Sequence, residues 1–307
     1  MDPLTAGDQL GSALHSTDGL RLTLLGTGTP AALLHRGGAS YLVRYGDQQL
    51  LFDCGPFAVH RLLEAGSAPT AITTLFLTHL HYDHAADYGH LVLNRWDEGA
   101  GKIPELDVYG PPPVERMTAA LFGPAGVWGP DLTARTENLG SQAVYEARGG
   151  APPRLRPAPK VTTVAAGDVV TGAGWTVQVA EVVHFQPHLI CLAYRLEAAG
   201  RSIVFGGDTR PTAALTALSQ AADVLIHMCH YVSGEEHDTR LTDTCSGHIE
   251  AAATARDAGV ATLVLTHITA AVERPGVRER VIHEAAEIFP GRIIFGEDLL
   301  DVPLGPG

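Results

Sequence analysis

Four side chains that can bind a metal ion lie within six consecutive residues, in the run His79-Leu80-His81-Tyr82-Asp83-His84. The run follows the apolar stretch 74–78, which has the composition of a buried β-strand. Residues two apart at a strand end point to the same side, so His79 and His81 face one way, while the following turn presents Asp83 and His84 from another direction. One such loop can serve two adjacent metal ions, which predicts a metal site at this strand end.

A site for two ions needs more ligands than these four, and three further residues have a suitable placement. His184, Asp208 and His267 each follow an apolar stretch that predicts a strand, at 177–183, 203–205 and 263–266. Sites on α/β scaffolds collect at the carboxyl ends of strands. Each residue alone would be an ordinary loop residue, but together they can complete a binuclear site.

The elements that position these residues are predicted from apolar runs and turn residues. Helices are expected near 56–66, 246–259 and 281–289, and strands at 20–25, 41–45, 49–53, 74–78, 175–183, 191–196, 202–205, 223–228, 262–266 and 292–295. Strands packed with outer helices, twice over, predict an α/β fold, a four-layer αββα sandwich of two mixed β-sheets flanked by helices.

The domain organisation follows from changes in composition along the chain. Residues 1–19 are polar and predict a loose N-terminal arm, and residues 20–307 predict a single domain. Clusters of Gly and Pro mark a candidate insertion at about 97–161, for which we favour a lid or a dimer arm.

Charge and cysteine usage narrow the possible functions. The 307 residues include 21 basic and 34 acidic ones, a formal charge of −13 that opposes tight binding to a phosphate backbone. The 15 histidines suit metal binding and proton transfer. Four scattered cysteines predict a reducing compartment. Without a signal peptide or an 18-residue apolar run, the sequence predicts a cytoplasmic protein that does not span a membrane.

The ordered set of candidate ligands resembles the metallo-β-lactamase superfamily, from about residue 20 to 296 apart from the insertion. The upstream runs Leu24-Leu25-Gly26-Thr27-Gly28 and Leu51-Phe52-Asp53-Cys54-Gly55 also fit that family. Within it, the chain is most similar to the branch of tRNase Z, zinc arylsulfatases and phosphodiesterases. The runs that carry this narrower similarity are Gly247-His248-Ile249-Glu250-Ala251-Ala252 and Leu263-Val264-Leu265-Thr266-His267.

The resemblance implies two zinc ions and assigns each of the seven candidate residues to one or both of them. It gives Asp208 as the bridge between the ions, with His79, His81 and His184 on the first ion and Asp83, His84 and His267 on the second. Manganese or iron would also accept these ligands. Two Zn²⁺ would bring the formal charge to −9. The pair would lower the pKa of a bridging water and supply a metal-bound hydroxide as the nucleophile.

Other residues are assigned roles around this centre. His248, at a predicted helix start, is expected to donate a proton to the leaving group, so that it joins Asp83 and Asp208 as a catalytic residue. Asp53 is expected to orient a ligand imidazole. His230 and Trp128 are candidate substrate-binding residues. His188 could compete with His184 as a ligand, and the cluster of His227, His230 and His237 has no assigned role beyond the pocket.

The substrate is expected to be a small, partly apolar or aryl molecule, such as a phosphodiester or a sulfate ester. In tRNase Z an arm that grips tRNA lies between the middle metal histidine and the bridging aspartate, but only 23 residues separate His184 from Asp208. Nucleic acid is therefore expected to be an unlikely partner, and a homodimer is expected from the resemblance. Alternatives are a hydrolytic dehalogenase of an activated aromatic, a tRNase Z-like 3′ endoribonuclease, and a lactonase or non-catalytic binding protein.

Overall fold

The computed structural model describes residues 19–235 and 238–305. The first 18 residues of the predicted arm and His237 lie outside this part of the chain. The described strands are β1 (Arg21–Gly26), β2 (Ser40–Tyr45), β3 (Gln48–Phe52), β4 (Thr74–Phe76), β5 (Asp107–Gly110), β6 (Lys160–Thr163), β7 (Val169–Gly172), β8 (Trp175–Val182), β9 (Cys191–Ala198), β10 (Arg201–Phe205), β11 (Val224–Met228), β12 (Thr262–Thr266), β13 (Arg292–Phe295) and β14 (Leu300–Val302).

The strands form two seven-stranded mixed sheets, with the orders β14-β1-β2-β3-β4-β5-β6 and β13-β12-β11-β10-β9-β8-β7. A short 3-10 helix (Pro69–Ala71) precedes β4. The described α-helices are α1 (Ala58–Glu64), α2 (Tyr82–Ala85), α3 (Tyr88–Gly99), α4 (Val114–Phe122), α5 (Gly129–Glu137), α6 (Leu139–Ala147), α7 (Ala213–Leu218), α8 (Thr239–Thr242), α9 (His248–Ala258) and α10 (Val277–Ile288).

Three apolar cores hold the layers together. The central core lies between the sheets, with Phe52 and Phe205 among its residues. A second core joins one sheet to α1, α3, α4 and α5, and a third joins the other sheet to α7, α9 and α10. The predicted four-layer αββα sandwich is therefore confirmed.

The strands are apolar at consecutive positions because both of their faces are covered. In β10, Ile203 and Phe205 belong to the central core, while Val204 between them packs with the helices. In β3, Leu51 likewise packs towards α1 while its neighbours face the other sheet. This arrangement explains why apolar runs, rather than strict alternation, mark the inner strands of the sequence.

Stacked aromatic rings connect the two sheets at the centre. Phe52 of β3 stacks on Phe205 of β10, with ring centroids 3.7 Å apart and planes 8° from parallel. On its own sheet, Phe52 also stacks on Phe76, at 4.9 Å. These buried rings lie near the carboxyl ends of β3, β4 and β10, so they fix the distance between the sheets close to the edge where the candidate ligands emerge.

Strand direction brings the candidate ligands to one edge. Strands β3 to β6 run parallel to one another, and so do β10 to β13. Strand β8 is antiparallel to β9, which is antiparallel to β10, so β8 and β10 also run the same way. The loops after β8, β10 and β12 therefore leave the second sheet at the same end. The loop after β4 leaves the first sheet at the shared carboxyl end of β3 to β6.

The range 97–161, predicted to be an insertion, contains β5, α4, α5, α6 and the start of β6. Strand β5 pairs with β4 and β6 and so belongs to the first sheet. Asp97 forms ion pairs with Arg135, Arg148 and Arg154, and the Arg154 guanidinium lies 3.8 Å from the centroid of the Trp96 ring. These contacts tie the helices of this range to the end of α3.

Within residues 19–235 and 238–305, we find no helical segment with the length and apolar character that a bilayer crossing requires. All four cysteines are buried free thiols.

Two adjacent leucines of α1 test the packing of the outer layer. Leu62 is fully buried against the first sheet, whereas the neighbouring Leu63 is 57% exposed. We expect Leu62→Ala to lower the free energy of unfolding by about 2–5 kcal/mol, because it leaves a cavity. Leu63→Ala, the matched control, should cost less than about 1 kcal/mol. Urea unfolding measures both, and equal losses would contradict this packing.

Candidate metal centre

The structure brings all seven predicted ligands together in two groups that share Asp208. The ligand atoms within each group lie within 4.8 Å of one another. Six of the seven side chains are buried and His81 is partly exposed. The first group is His79, His81, His184 and Asp208, and the second is Asp83, His84, Asp208 and His267.

Each ligand position follows from the local backbone. His79 and His81 lie between the end of β4 and the start of α2, and α2 itself carries Asp83 and His84. Beyond β12, His267 adopts a left-handed backbone with φ of 56°. This conformation is costly for a residue with a side chain and is found mainly where function requires it.

Distances around the shared carboxylate fit bound metal ions. The Nε2 atoms of His267, His84, His184 and His79 lie 3.0, 3.4, 3.7 and 3.9 Å from Asp208 Oδ2. Two ligand atoms that are each about 2.1 Å from one tetrahedral zinc ion are about 3.4 Å apart. The spacing therefore leaves the ligand atoms of each group far enough apart to bind an ion between them.

Hydrogen bonds behind the ligands turn their Nε2 atoms towards the centre. His84 Nδ1 donates to Asp53 Oδ2 at 2.8 Å, and His184 Nδ1 donates to the Thr244 carbonyl at 2.8 Å. Thr78 Oγ1 donates to Asp53, so it accepts from His79 Nδ1 at 3.1 Å. Asp53 thus contacts one ligand directly and a second through Thr78, which is the geometry expected of a residue that orients imidazoles.

The electrostatics of the two groups favour a cation. Burial alone would raise the pKa of Asp208, but His267 and His84 hold that pKa well below its ordinary value. Burial alone would lower the pKa of His267, but Asp208 and Asp83 raise it to about 9. Asp83 Oδ1 and His84 Nε2 are buried without a hydrogen-bond partner. Positive charge is therefore favoured beside these carboxylates, and a divalent cation would supply it.

His248 begins α9 and is completely buried. Its Nε2 atom lies 2.7 Å from Glu284 Oε2, and its Nδ1 atom accepts a hydrogen bond from the Ser233 backbone at 3.2 Å. Neither contact is with a ligand, so the proton-donor role of His248 stays a prediction. Sequence reasoning missed Glu284, which lies in α10 and carries no motif that would connect it to His248.

The remaining histidines differ in their relation to the centre. His230 lies beside it, with Nδ1 3.1 Å from His267 Nδ1, and burial lowers the pKa of His230 to about 4. His188 is exposed and lies outside both groups, whereas His184 belongs to the first group. His227 is buried on β11, next to the Met228 carbonyl.

Trp128, a candidate substrate-binding residue, lines a largely apolar cavity of about 440 Å³ beside the ligand helix α2. Its side chain is 40% exposed. Tyr82 and Leu121 line the same cavity. The substrate-binding roles of Trp128 and His230 stay predictions.

Comparison with known proteins identifies relatives over nearly the whole chain. A model of the beta-lactamase superfamily domain matches residues 48–268. "Ribonuclease Z" of Mycobacterium bovis (strain BCG / Pasteur 1173P2) is 35% identical in an alignment of 293 residues that covers 94% of this chain and 99% of that protein. "Ribonuclease Z" of Mycobacterium avium (strain 104) is 35% identical over 286 residues, 91% of this chain and 96% of that protein.

Solved structures have the same fold at lower identity. The metallo-beta-lactamase fold protein YhfI from Bacillus subtilis aligns with a TM-score of 0.71 and 20% identity, over 93% of this chain and 100% of its own. The short form of human tRNase Z aligns with a TM-score of 0.64 and 18% identity, over 93% and 99% of the two chains.

These relatives contradict the expectation that the substrate is a small molecule and that nucleic acid is an unlikely partner. A small-molecule substrate, with nucleic acid unlikely, was inferred from the short distance between His184 and Asp208. However, the aligned residues take in 99% of the M. bovis ribonuclease, so that protein has almost no sequence left for an additional arm. The 23-residue spacing therefore does not separate this chain from ribonuclease Z, and the expectation was wrong.

Gly55 provides a test of how tightly the ligand helix is positioned. A Cβ atom at Gly55 would lie 2.0 Å from the Asp83 carbonyl oxygen and 2.6 Å from the Gly38 carbonyl carbon. We expect Gly55→Ala to displace α2, lower the free energy of unfolding by about 1–3 kcal/mol and reduce the metal retained after dialysis. Elemental analysis and urea unfolding measure these effects. Gly19→Ala, where a Cβ meets nothing within 4 Å, is the control; normal metal content in Gly55→Ala would contradict the assigned contact.

Proposed function

The chain belongs to the beta-lactamase superfamily and is a metallohydrolase of that fold, and from this premise we propose that it is a ribonuclease Z that cleaves precursor tRNA. The pair of buried ligand groups joined by Asp208 is the observation that carries the hydrolytic activity, and it does not by itself select the substrate. The 35% identity to ribonuclease Z, over almost the full length of both chains, supports tRNA as the substrate.

We assign the two ions to the two groups, with zinc as the metal. His79, His81 and His184 would hold one ion and Asp83, His84 and His267 the other, with Asp208 between them. Two such cations would polarise a phosphodiester and lower the pKa of a water molecule so that it becomes a nucleophile. They would also reduce the negative charge that an RNA backbone meets at this edge.

The protein's own groups would orient the ligands and accept a proton. Asp53 fixes His84 directly and His79 through Thr78, so loss of its carboxylate would loosen one ligand of each group. Asp83 Oδ1 is buried and has no hydrogen-bond partner. We assign the Asp83 carboxylate as the acceptor of the proton from the attacking water, because it is buried in the second group beside His84 and His267.

A second cavity near this edge offers a basic contact for RNA. It measures about 630 Å³ and is bounded by the loops that follow β1 and β12, the second of which begins with His267. Arg36 and Arg278 in its wall are paired with Glu273 and Glu297. In contrast, Arg274 donates to the Ala271 carbonyl and forms no ion pair with another residue that the structure describes, so its charge is available to an external phosphate.

Loss of the shared carboxylate is the most direct test of the proposed activity. We expect Asp208→Asn to retain less than one zinc per chain and to lose cleavage of precursor tRNA by at least about 100-fold, because both ions lose a ligand. Elemental analysis and a gel assay of a precursor tRNA with a 3′ extension measure the two effects. Asp47→Asn is the control, because Asp47 lies in the exposed turn between β2 and β3, at the opposite end of β3 from the ligands.

The wild-type protein should bind two zinc ions and cut precursor tRNA, and bis-(p-nitrophenyl) phosphate should be assayed beside it. Turnover of the small phosphodiester without cleavage of the precursor would reject the tRNA assignment but retain the hydrolase. If Asp208→Asn kept both activities, the metal centre itself would be misassigned.

Arg274 gives a separate test of RNA binding. We expect Arg274→Ala to raise KM for precursor tRNA while kcat changes little, and to reduce the slope of log KM against log salt by about 1, the effect of one lost phosphate contact. Steady-state kinetics between low and moderate salt measures this slope. Arg256→Ala, an exposed arginine of α9 paired with Asp257, is the matched control. An unchanged slope in Arg274→Ala would exclude this cavity from RNA binding.

A further inference from the structure

We infer that His230 is a positioning residue, which holds the ring of the ligand His267 by accepting a hydrogen bond at its own Nδ1 atom. The two Nδ1 atoms are 3.1 Å apart, and the ring centroids are 5.1 Å apart. The inference rests on the metal-ligand role proposed for His267. It assigns His230 to the metal centre, whereas the sequence pattern suggested a contact with substrate.

The direction of this hydrogen bond follows from what His267 does with its other nitrogen. Nε2 of His267 faces Asp208 and Asp83, at 3.0 and 3.3 Å, and is the atom that can bind a metal. An imidazole that binds a metal through Nε2 carries its proton on Nδ1. His267 is therefore the donor and His230 the acceptor, which places the proton of a neutral His230 ring on Nε2.

The backbone holds His230 in this position. Strands β11 and β12 are parallel and in register up to Met228 and Thr266. Just beyond this pair, the Cys229 backbone N–H donates to the Thr266 carbonyl at 2.7 Å, and the His230 N–H donates to the Ser246 carbonyl at 2.9 Å. The Cys229 bond fixes the loop after β11 beside the loop that carries His267, and the Ser246 bond anchors the His230 backbone to the segment before α9.

His230 extends to His267 a pattern that three other ligand histidines show. His84, His184 and His79 each have an acceptor behind the ring, namely a carboxylate, a carbonyl and a hydroxyl. His267 has a neutral imidazole in that place. Outer partners of this kind typically change metal affinity about 10- to 100-fold when they are removed. The effect should fall on the ion of the second group, because His267 belongs to that group alone.

Three substitutions separate this role from a structural one. We expect His230→Ala to weaken binding of one of the two metal ions about 10- to 100-fold and to leave the other unchanged. His230→Asn can place its amide oxygen where Nδ1 lies, and should restore affinity to within a few-fold of wild type. In His230→Gln the amide reaches the position of Nε2 instead, so it should behave like Ala. His283→Ala, a 76% exposed histidine of α10, is the control.

The measurements are Zn²⁺ competition against a chelator and the visible absorption spectrum of the Co²⁺-loaded protein, which reports ligand geometry without substrate. Unchanged metal affinity and an unchanged spectrum in His230→Ala would overturn the inference. An equal loss of metal affinity in His230→Asn and His230→Gln would also overturn it. Thermal unfolding of the metal-free variants checks that they fold. If His230→Ala does not fold, the difference in metal affinity between His230→Asn and His230→Gln tests the inference. Failure of the wild type to cut precursor tRNA would reject the proposed substrate and leave this metal-affinity result standing.

Discussion

Burial of the Asp208 carboxylate is the constraint on which the rest of this molecule depends. An ionised carboxylate away from water is very costly unless positive charge or hydrogen-bond donors surround it. Four imidazole nitrogens lie within 3.9 Å of one of its oxygens, and they come from loops after β4, β8 and β12 and from α2. Both sheets must therefore be docked in one arrangement before this charge can be accommodated.

The fold meets this requirement with rigid, close contacts instead of long side chains. The stacked rings of Phe52 and Phe205 fix the two sheets near the same edge. Asp53, one residue beyond Phe52, uses its carboxylate to order Thr78 and His84. Because its backbone is left-handed, with φ of 58°, Asp53 turns the chain sharply there. Phe52 of the core and Asp53, which orients the ligands, are thus consecutive residues. A change in the packing of Phe52 would therefore displace Asp53 and the metal ligands that it holds.

Sequence information predicts those parts of this structure that depend on local periodicity. The inner strands have both faces buried, so their apolar runs were recognisable, and the ligands follow these runs directly. The strands missed at this level, β5, β6, β7 and β14, are short, and the three last have exposed positions that weaken the pattern. Contacts such as the Thr244 carbonyl behind His184 have no side-chain signal at all, because any residue supplies a carbonyl.

The substrate was the weakest inference from the sequence, because the residues that perform the chemistry are not the residues that select the substrate. Two cations beside a carboxylate stabilise negative charge on many reaction centres, so the ligands alone do not distinguish a tRNA from a small ester. The short spacing between His184 and Asp208 argues against RNA, yet a relative that aligns over 99% of its own length carries the name ribonuclease Z. Recognition of a large anion by a chain of charge −13 must then depend on where individual cations such as Arg274 lie relative to the metal centre, and not on net charge.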